Sequence, residues 1–148
     1  EDLEFTVVAA LRVLGLEAER TEPGFTADIL SWTPDRSLNF GLEVTGIAGQ
    51  IKKDSKKLTQ VIQFEMQKEN EEKTILVAST YNQTPVSERP VENFTPQVIQ
   101  FLGVHPILLM TGLDLYRIVS DVLDGRKQPE DQVQLLHSSE GVFTYEPE

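Results

Sequence analysis

Two acidic residues lie in segments whose composition is typical of β-strands. Asp28 falls within residues 25–32, and Glu43 falls within the alternating run Asn39–Gly46. Side chains alternate along a strand, so Glu43 faces away from the apolar residues on either side of it. The connection between the two segments contains a Pro-Asp turn signal and predicts a hairpin. Carboxylates on adjacent strands can share a cation, and two ordinary solvent-facing acids are the simpler alternative.

Four lysines follow the Glu43 strand within six positions: Lys52, Lys53, Lys56 and Lys57. They fall at the predicted start of a helix, where positive charge opposes the helix dipole. One interpretation is an ordinary solvated helix start. The other is a local positive patch that contacts phosphate or the carboxylates.

Composition restricts the kind of metal that the chain can hold. Cysteine is absent, and the two histidines, His105 and His137, lie far apart in the sequence. Disulfides and thiolate sites are therefore excluded, and a zinc site is not expected. Any metal should be a hard cation bound by oxygen. The net charge of -11 argues against general attraction to nucleic acid, because an acidic surface repels phosphate.

The apolar pattern predicts one domain in which helices and strands alternate. We expect the domain to span residues 1–125, with a C-terminal extension at residues 126–148 packed on the same domain. Residues 125–132 are predicted to form a linker, and residues 133–137 and 141–145 a terminal hairpin. The long polar connection at residues 81–95 is expected to be functional or mobile. The predicted elements are a helix through Leu3 and Leu14, strands at residues 16–20, 25–32 and 39–46, a helix capped by Asp54 or Ser55, a strand at 74–78, a helix at 96–102, a strand at 106–110 and a helix at 113–123.

The predicted order αβββαβ, with Asp28 on the second strand and Glu43-Val44-Thr45 on the third, resembles the PD-(D/E)XK nuclease superfamily. The resemblance covers residues 3–123. It implies an α/β restriction-endonuclease-like fold: a three-layer αβα core with a mixed central sheet, of order αβββαβ followed by αβα. It also implies Mg²⁺, with Mn²⁺ as a substitute, bound by Asp28, Glu43 and the backbone carbonyl of Val44.

Further details of the resemblance add candidate residues. Glu4 lies in the first helix, where some superfamily members carry an additional acid, and is a further candidate metal ligand. Gln60 and Phe64 resemble the Gln-x-x-x-Tyr element of the exonuclease branch, with Phe in place of Tyr, which makes Gln60 a candidate catalytic residue. Residues 14–19 resemble the helix-to-strand turn of type IV restriction enzymes and archaeal junction resolvases.

The sequence departs from the superfamily at the motif lysine, whose place is taken by Thr45. A hydroxyl carries no charge, and losing one charged contact to a transition state typically reduces a rate about 10² to 10³-fold. Either a lysine has moved to another position or catalysis has been lost. Lys52 and Lys53 are the nearest replacements, with Lys52 preferred, and Lys56 could reach from the first turn of the helix.

The function predicted first is a Mg²⁺-dependent nuclease-like domain that acts on DNA, a possible endonuclease. The second is a catalytically inactive nuclease-fold module for recognition or assembly within a larger protein, favoured by Thr45 and by the acidic charge. A flavodoxin-like or receiver-like domain fits the βαβα second half but ranks last, because the leading αβββ order supplies no acidic pocket after a first buried strand. That alternative would require residues 39–45 to pair in parallel with the preceding strand.

The expected cellular location and partners follow from features that are absent from the sequence. The most apolar stretch, residues 98–113, is interrupted by polar residues and does not predict a membrane helix. A cytoplasmic protein is the expectation. Because the chain does not begin with methionine, we expect partner domains in a larger chain. The sequence does not decide between a monomer and a homodimer.

Overall fold

The computed structural model describes residues 2–69 and 71–147, without the side chain of Asp2. Five helices, a single 3-10 turn and six strands occur within these ranges. In chain order they are α1 (Asp2–Val13), β1 (Glu17–Arg20), β2 (Ile29–Trp32), β3 (Asn39–Gly46), α2 (Lys56–Gln67), β4 (Lys73–Ser79), the 3-10 turn (Val86–Glu88), α3 (Pro96–Leu102), β5 (Leu108–Thr111), α4 (Gly112–Leu123), α5 (Pro129–Ser138) and β6 (Gly141–Val142). None of the described helices is long and apolar enough to cross a membrane.

All six strands form one mixed sheet in the order β1-β2-β3-β4-β5-β6. The first three strands pair antiparallel, whereas β3, β4, β5 and β6 pair in parallel. The antiparallel register places Ile29 opposite Leu42. This pairing is the predicted hairpin, and it contradicts the flavodoxin-like alternative.

Helices cover both faces of the sheet and bury two apolar clusters. Helices α1, α4 and α5 pack on one face, in a cluster that includes Val7, Val44 and Ile118. Helices α2 and α3 pack on the other face, in a cluster that includes Val61 and Leu76. Strand β4 is buried almost throughout, as expected for a parallel strand covered on both sides. The three-layer αβα architecture and the order αβββαβ followed by αβα confirm the predicted fold class.

A glycine in β3 allows α2 to lie close to the sheet. The ring of Phe64 packs over Gly41, where an added Cβ atom would collide with the ring. Phe64 is itself buried. Phe64, which stands in the place of the Tyr of the Gln-x-x-x-Tyr element, therefore packs α2 against β3.

The C-terminal residues differ from the prediction. The expected linker at residues 125–132 contains the start of α5, and residues 133–137 continue that helix instead of forming one strand of a hairpin. Strand β6 pairs in parallel with β5. The hairpin prediction was wrong because Pro129 and the two acids after it are a helix N-terminal signal, with Val133 and Leu136 at helical spacing.

Candidate active site

Asp28 lies immediately before β2 and is held against β3 by two hydrogen bonds. Its backbone N–H donates to the carbonyl of Leu42 at 2.9 Å, as a continuation of the hairpin ladder. The backbone N–H of Val44 donates to Asp28 Oδ2, also at 2.9 Å. The Asp28 side chain remains 21% exposed. The hairpin therefore fixes this carboxylate beside the middle of β3 and leaves it partly open to solvent.

Glu43 lies on β3 with its side chain on the face covered by α2. It is opposite Leu76 of β4, a member of the apolar cluster beneath α2 and α3. The Glu43 side chain has no solvent exposure. A carboxylate buried beside apolar side chains needs partners or a proton.

Lys57, in the first turn of α2, supplies the partner. Its Nζ lies 2.6 Å from Asp28 Oδ2 and 3.3 Å from Glu43 Oε1, so a single ammonium bridges the two carboxylates. Lys57 is 22% exposed. We refer to Asp28, Glu43 and Lys57 as the bridged cluster.

The start of α2 is unfavourable for a lysine in every respect except this contact. Ser55 is the N-cap residue, but its side chain makes no capping hydrogen bond, and the first turn contains no acid. Lysine at this position opposes the helix dipole at a cost of about 0.3–1 kcal/mol. Because α2 begins on Lys56 and Lys57 without these usual devices, the carboxylates are what stabilise Lys57 at this position.

The bridged cluster contains two carboxylates for one ammonium, and its protonation reflects that imbalance. Burial, followed by the neighbouring charge of Asp28, raises the pKa of Glu43 to about 8 despite the nearby Lys57. Burial acts to lower the pKa of Lys57, but hydrogen bonds and charges from Asp28 and Glu43 outweigh it and raise that pKa above its ordinary value. At neutral pH, the folded chain therefore favours charged Lys57 and a proton on Glu43.

Two carboxylate oxygens of the cluster receive no hydrogen bond from Lys57. Glu43 Oε2 is buried and accepts no hydrogen bond within the described residues. The Val44 N–H and Lys57 Nζ both donate to Asp28 Oδ2 and not to Oδ1. A hydrogen bond between the Asp28 and Glu43 carboxyl groups also helps to raise the pKa of Glu43. Buried oxygens without a partner are rare in folded proteins, and where they occur an ion or a water often binds them. Oxygen donors of this type fit Mg²⁺, which keeps several waters and needs only one or two carboxylates from the protein.

The protein donors alone do not form a complete metal cage. No group of three or more His, Cys, Asp or Glu side chains is disposed to hold a metal ion in the part of the chain that the structure describes. Asp28 and Glu43 are two such donors, and the Val44 carbonyl is the third oxygen that the resemblance implies. A cation bound here would rely on water or substrate oxygens for its remaining ligands.

The structure places the other predicted lysines away from the carboxylates. Lys52 and Lys53 are exposed and line an open cleft with Thr95 and Gln97, at the start of α3. Lys56 is also exposed. No hydrogen bond or ion pair connects these three lysines to Asp28 or Glu43 within the described ranges. Among the four lysines, Lys57 is the one that contacts the two carboxylates within the described residues. A catalytic role for Lys52 or Lys53 stays a prediction.

Three further candidates also lie outside the bridged cluster. Glu4 accepts a hydrogen bond at 3.0 Å from Arg20, on the side of the sheet covered by α1. Gln60 is exposed on α2 and contacts neither carboxylate through a hydrogen bond. Thr45 is half-buried, two residues beyond Glu43 on the same side of β3.

Sequence analysis missed Lys57 although a signal was present. Lys57, Val61 and Phe64 follow helical spacing, so they share the face of α2 that packs on the sheet. A lysine on an otherwise apolar face needs a buried partner. Proximity along the chain to Glu43 favoured Lys52, whereas the helical face identifies Lys57.

The strand order and the two covering layers of helices agree with the predicted restriction-endonuclease-like fold. A similar solved structure is Hjc, a Holliday junction resolvase from the hyperthermophilic archaeon Archaeoglobus fulgidus. It is 18% identical, with 64% of this chain and 88% of the resolvase chain covered at a TM-score of 0.40. The superposition is therefore partial, and the fold is defined by the topology of this chain itself. No family model and no curated protein matches the sequence.

Proposed function

We propose that this chain is a metal-dependent nuclease domain that hydrolyses phosphodiester bonds in DNA at the bridged cluster. The observation that supports the proposal is the position of Lys57 Nζ, 2.6 Å from Asp28 and 3.3 Å from Glu43. This contact supplies from α2 the positive charge that Thr45 cannot supply from β3. The resemblance in fold to the PD-(D/E)XK superfamily supports DNA as the substrate.

Asp28 and Glu43, with the Val44 carbonyl, would hold Mg²⁺ or Mn²⁺ through the oxygens that Lys57 leaves free. When bound, the cation would neutralise charge on the phosphate and make an attacking water more acidic. Lys57 would orient that water and stabilise negative charge on the phosphate oxygens, as a positioned cation does in phosphoryl transfer. The Val44 N–H would keep Asp28 in place while Lys57 and the cation compete for its carboxylate.

A non-catalytic module is the second candidate, and the same ion pairs favour it. Lys57 already neutralises one of the two carboxylates, and Glu43 favours the protonated form near neutral pH. A closed cluster of this type could stabilise the fold alone. The net charge of -11 also opposes binding of a large DNA surface without a partner domain.

Cleavage of a supercoiled plasmid in Mg²⁺ or Mn²⁺ distinguishes these candidates. We expect Lys57→Ala to reduce the rate about 10² to 10³-fold, the usual effect of losing one positioned charge. Lys56→Ala is the matched control, since Lys56 is the adjacent lysine and is exposed. The cleavage rate of Lys56→Ala should remain within about twofold of the wild-type rate, because substitutions of exposed residues have small effects.

Equal effects of the two substitutions would contradict the role of Lys57. Wild-type protein that cleaves with neither metal would favour the non-catalytic module. Circular dichroism of each variant separates loss of chemistry from loss of folding.

A further inference from the structure

A second cleft opens at the carboxyl ends of β4 and β5 and is separate from the bridged cluster. Its volume is about 480 Å³. It is bounded by the residues that end β4, the connection that follows, the first turn of α4 and the C-terminal tail, and neither Asp28, Glu43 nor Lys57 lines it. Its charged lining residues are Arg89, Arg117 and Asp114. In a chain with a net charge of -11, this cleft is a local region of positive charge.

The acid in the cleft forms no ion pair with the two arginines in the part of the chain that the structure describes. Asp114 accepts a hydrogen bond from the backbone N–H of Thr111 at 3.0 Å, while the Thr111 hydroxyl accepts one from the N–H of Asp114. This reciprocal capping box commits Asp114 to the start of α4.

Both guanidinium groups have donors available for a ligand. Arg117 is exposed and makes no hydrogen bond or ion pair to a described residue; its contact is with the Tyr145 ring, 5.6 Å away. Arg89 donates from Nε to the carbonyl of Thr84 at 2.7 Å, which orients the side chain and leaves its terminal nitrogens free. Planar guanidinium groups pair with phosphate oxygens through two parallel hydrogen bonds.

The wall formed by Tyr145 is held in place by contacts behind the cleft. The Tyr145 hydroxyl donates to Asp121, a buried residue of α4 that also pairs with Arg126 and Lys127. Arg117 therefore lies against a ring whose position is fixed. Such support reduces the entropy that the arginine loses when it binds a ligand.

The cleft lies close enough to the bridged cluster to serve the same substrate. Ala78, a lining residue, is the sheet neighbour of Thr45, which is two residues beyond Glu43. A strand spacing of about 4.8 Å and a rise of about 3.3 Å per residue place the Cα atom of Ala78 about 8 Å from the Cα atom of Glu43. A strand of B-form DNA covers that distance in two to three nucleotides, at about 3.4 Å each.

We propose that Arg89 and Arg117 form a binding site for a backbone phosphate of the nucleic acid strand, a few nucleotides from the bond at the bridged cluster. The inference rests on the proposed function and extends it by assigning a second contact to the substrate. Contacts to phosphate position a nucleic acid without reading its sequence. The site would bind all sequences equally and set the register of the strand on the protein.

Binding is measured by fluorescence anisotropy with a labelled 20-nucleotide strand and its duplex, in EDTA so that cleavage does not interfere. Arg117→Gln should weaken binding about fivefold to tenfold for every sequence tested and lower the salt dependence of log K by about 0.7–0.9. Arg117→Lys keeps the charge but loses the paired donors, so it should weaken binding less than Arg117→Gln and keep the salt dependence of the wild type. Arg36→Gln is the matched control, because Arg36 is exposed in the β2–β3 turn at the other end of β3 and stacks on Trp32.

The outcomes separate this inference from the proposed function. Weaker binding in Arg117→Gln but not in Arg36→Gln supports the site, whether or not the wild type cleaves. Equal effects of both substitutions, or no binding of the wild type at low salt, would overturn it. Competition by inorganic phosphate as strong as that by the oligonucleotide would also overturn it, because the site would then select a free anion and not a strand.

Discussion

Helix α2 carries a lysine–carboxylate cluster at each end, and the two differ in how completely their polar atoms are paired. At the C-terminal end, Lys68 donates to Glu65 at 2.8 Å, to the carbonyl of Glu72 at 2.7 Å and to Thr74 at 3.5 Å. Thr74 also donates to the same oxygen of Glu65, at 2.6 Å. One positive charge meets one negative charge, and all three ammonium protons have acceptors.

The bridged cluster at the N-terminal end of α2 is unbalanced by comparison. One ammonium meets two carboxylates, Glu43 Oε2 has no partner among described residues, and the pKa of Glu43 is about 8. Both clusters lie on the same helix and the same face of the sheet. The comparison indicates that burial alone does not produce the imbalance, and an unbalanced buried cluster is a candidate for function.

The largest expected difference between the clusters is in stability. We expect Lys68→Ala to lower the free energy of unfolding by about 3 kcal/mol, because it leaves the Glu65 carboxylate, whose side chain is 9% exposed, without its ammonium. Lys57→Ala should cost about 1 kcal/mol or less at pH 7, since Glu43 can remain protonated and Asp28 keeps its bond from Val44. Urea unfolding of both variants at pH 7 measures the difference. Equal losses would show that the two clusters are structurally equivalent.

A smaller effect is expected from pH. Burial raises the pKa of Glu43 from 4.5 to about 8, so the folded state binds this proton more tightly than the unfolded state. The resulting stability is complete below about pH 4.5 and is lost as the pH rises through about 8. The side chain of Glu43→Gln cannot ionise. The free energy of unfolding of this variant should therefore exceed that of the wild type by about 1–2 kcal/mol at pH 9 in EDTA and equal it near pH 6.

Unfolding curves at the two pH values test this directly, with Glu65→Gln as the matched control. Glu65 Oε1 accepts hydrogen bonds from both Lys68 and Thr74, so substitution of Glu65 should be destabilising at both pH values. A Glu43→Gln variant that loses stability at pH 9 would contradict the raised pKa.

The sequence predicted the fold because its local signals agree with the tertiary structure. Strand β3 was predicted with its observed bounds, since apolar and polar residues alternate through it and glycine closes it. Helix α3 was predicted at its observed bounds, Pro96–Leu102. In the structure, proline is at its first position and the Thr95 side chain caps it. These elements are specified by residues close together in sequence, which is why pattern alone locates them.

The composition of the bridged cluster was harder to predict, because it depends on contacts between distant residues. Asp28 and Glu43 could be paired from the hairpin, whose short turn fixes the register. Lys57 reaches them only because Phe64 packs on Gly41 and brings α2 close to β3. The distance between a helix and a sheet is set by such packing, and sequence spacing does not report it.

Calorimetric titration of Mg²⁺ at pH 8.5 and low ionic strength tests most directly whether the bridged cluster is a metal site. At this pH Glu43 is largely ionised, and weak binding by carboxylates is not masked by salt. We predict one binding event in the wild type, its loss in Glu43→Gln and its retention in Glu65→Gln, which changes the paired carboxylate of the other cluster. No binding in the wild type, or binding that survives Glu43→Gln, would contradict the account.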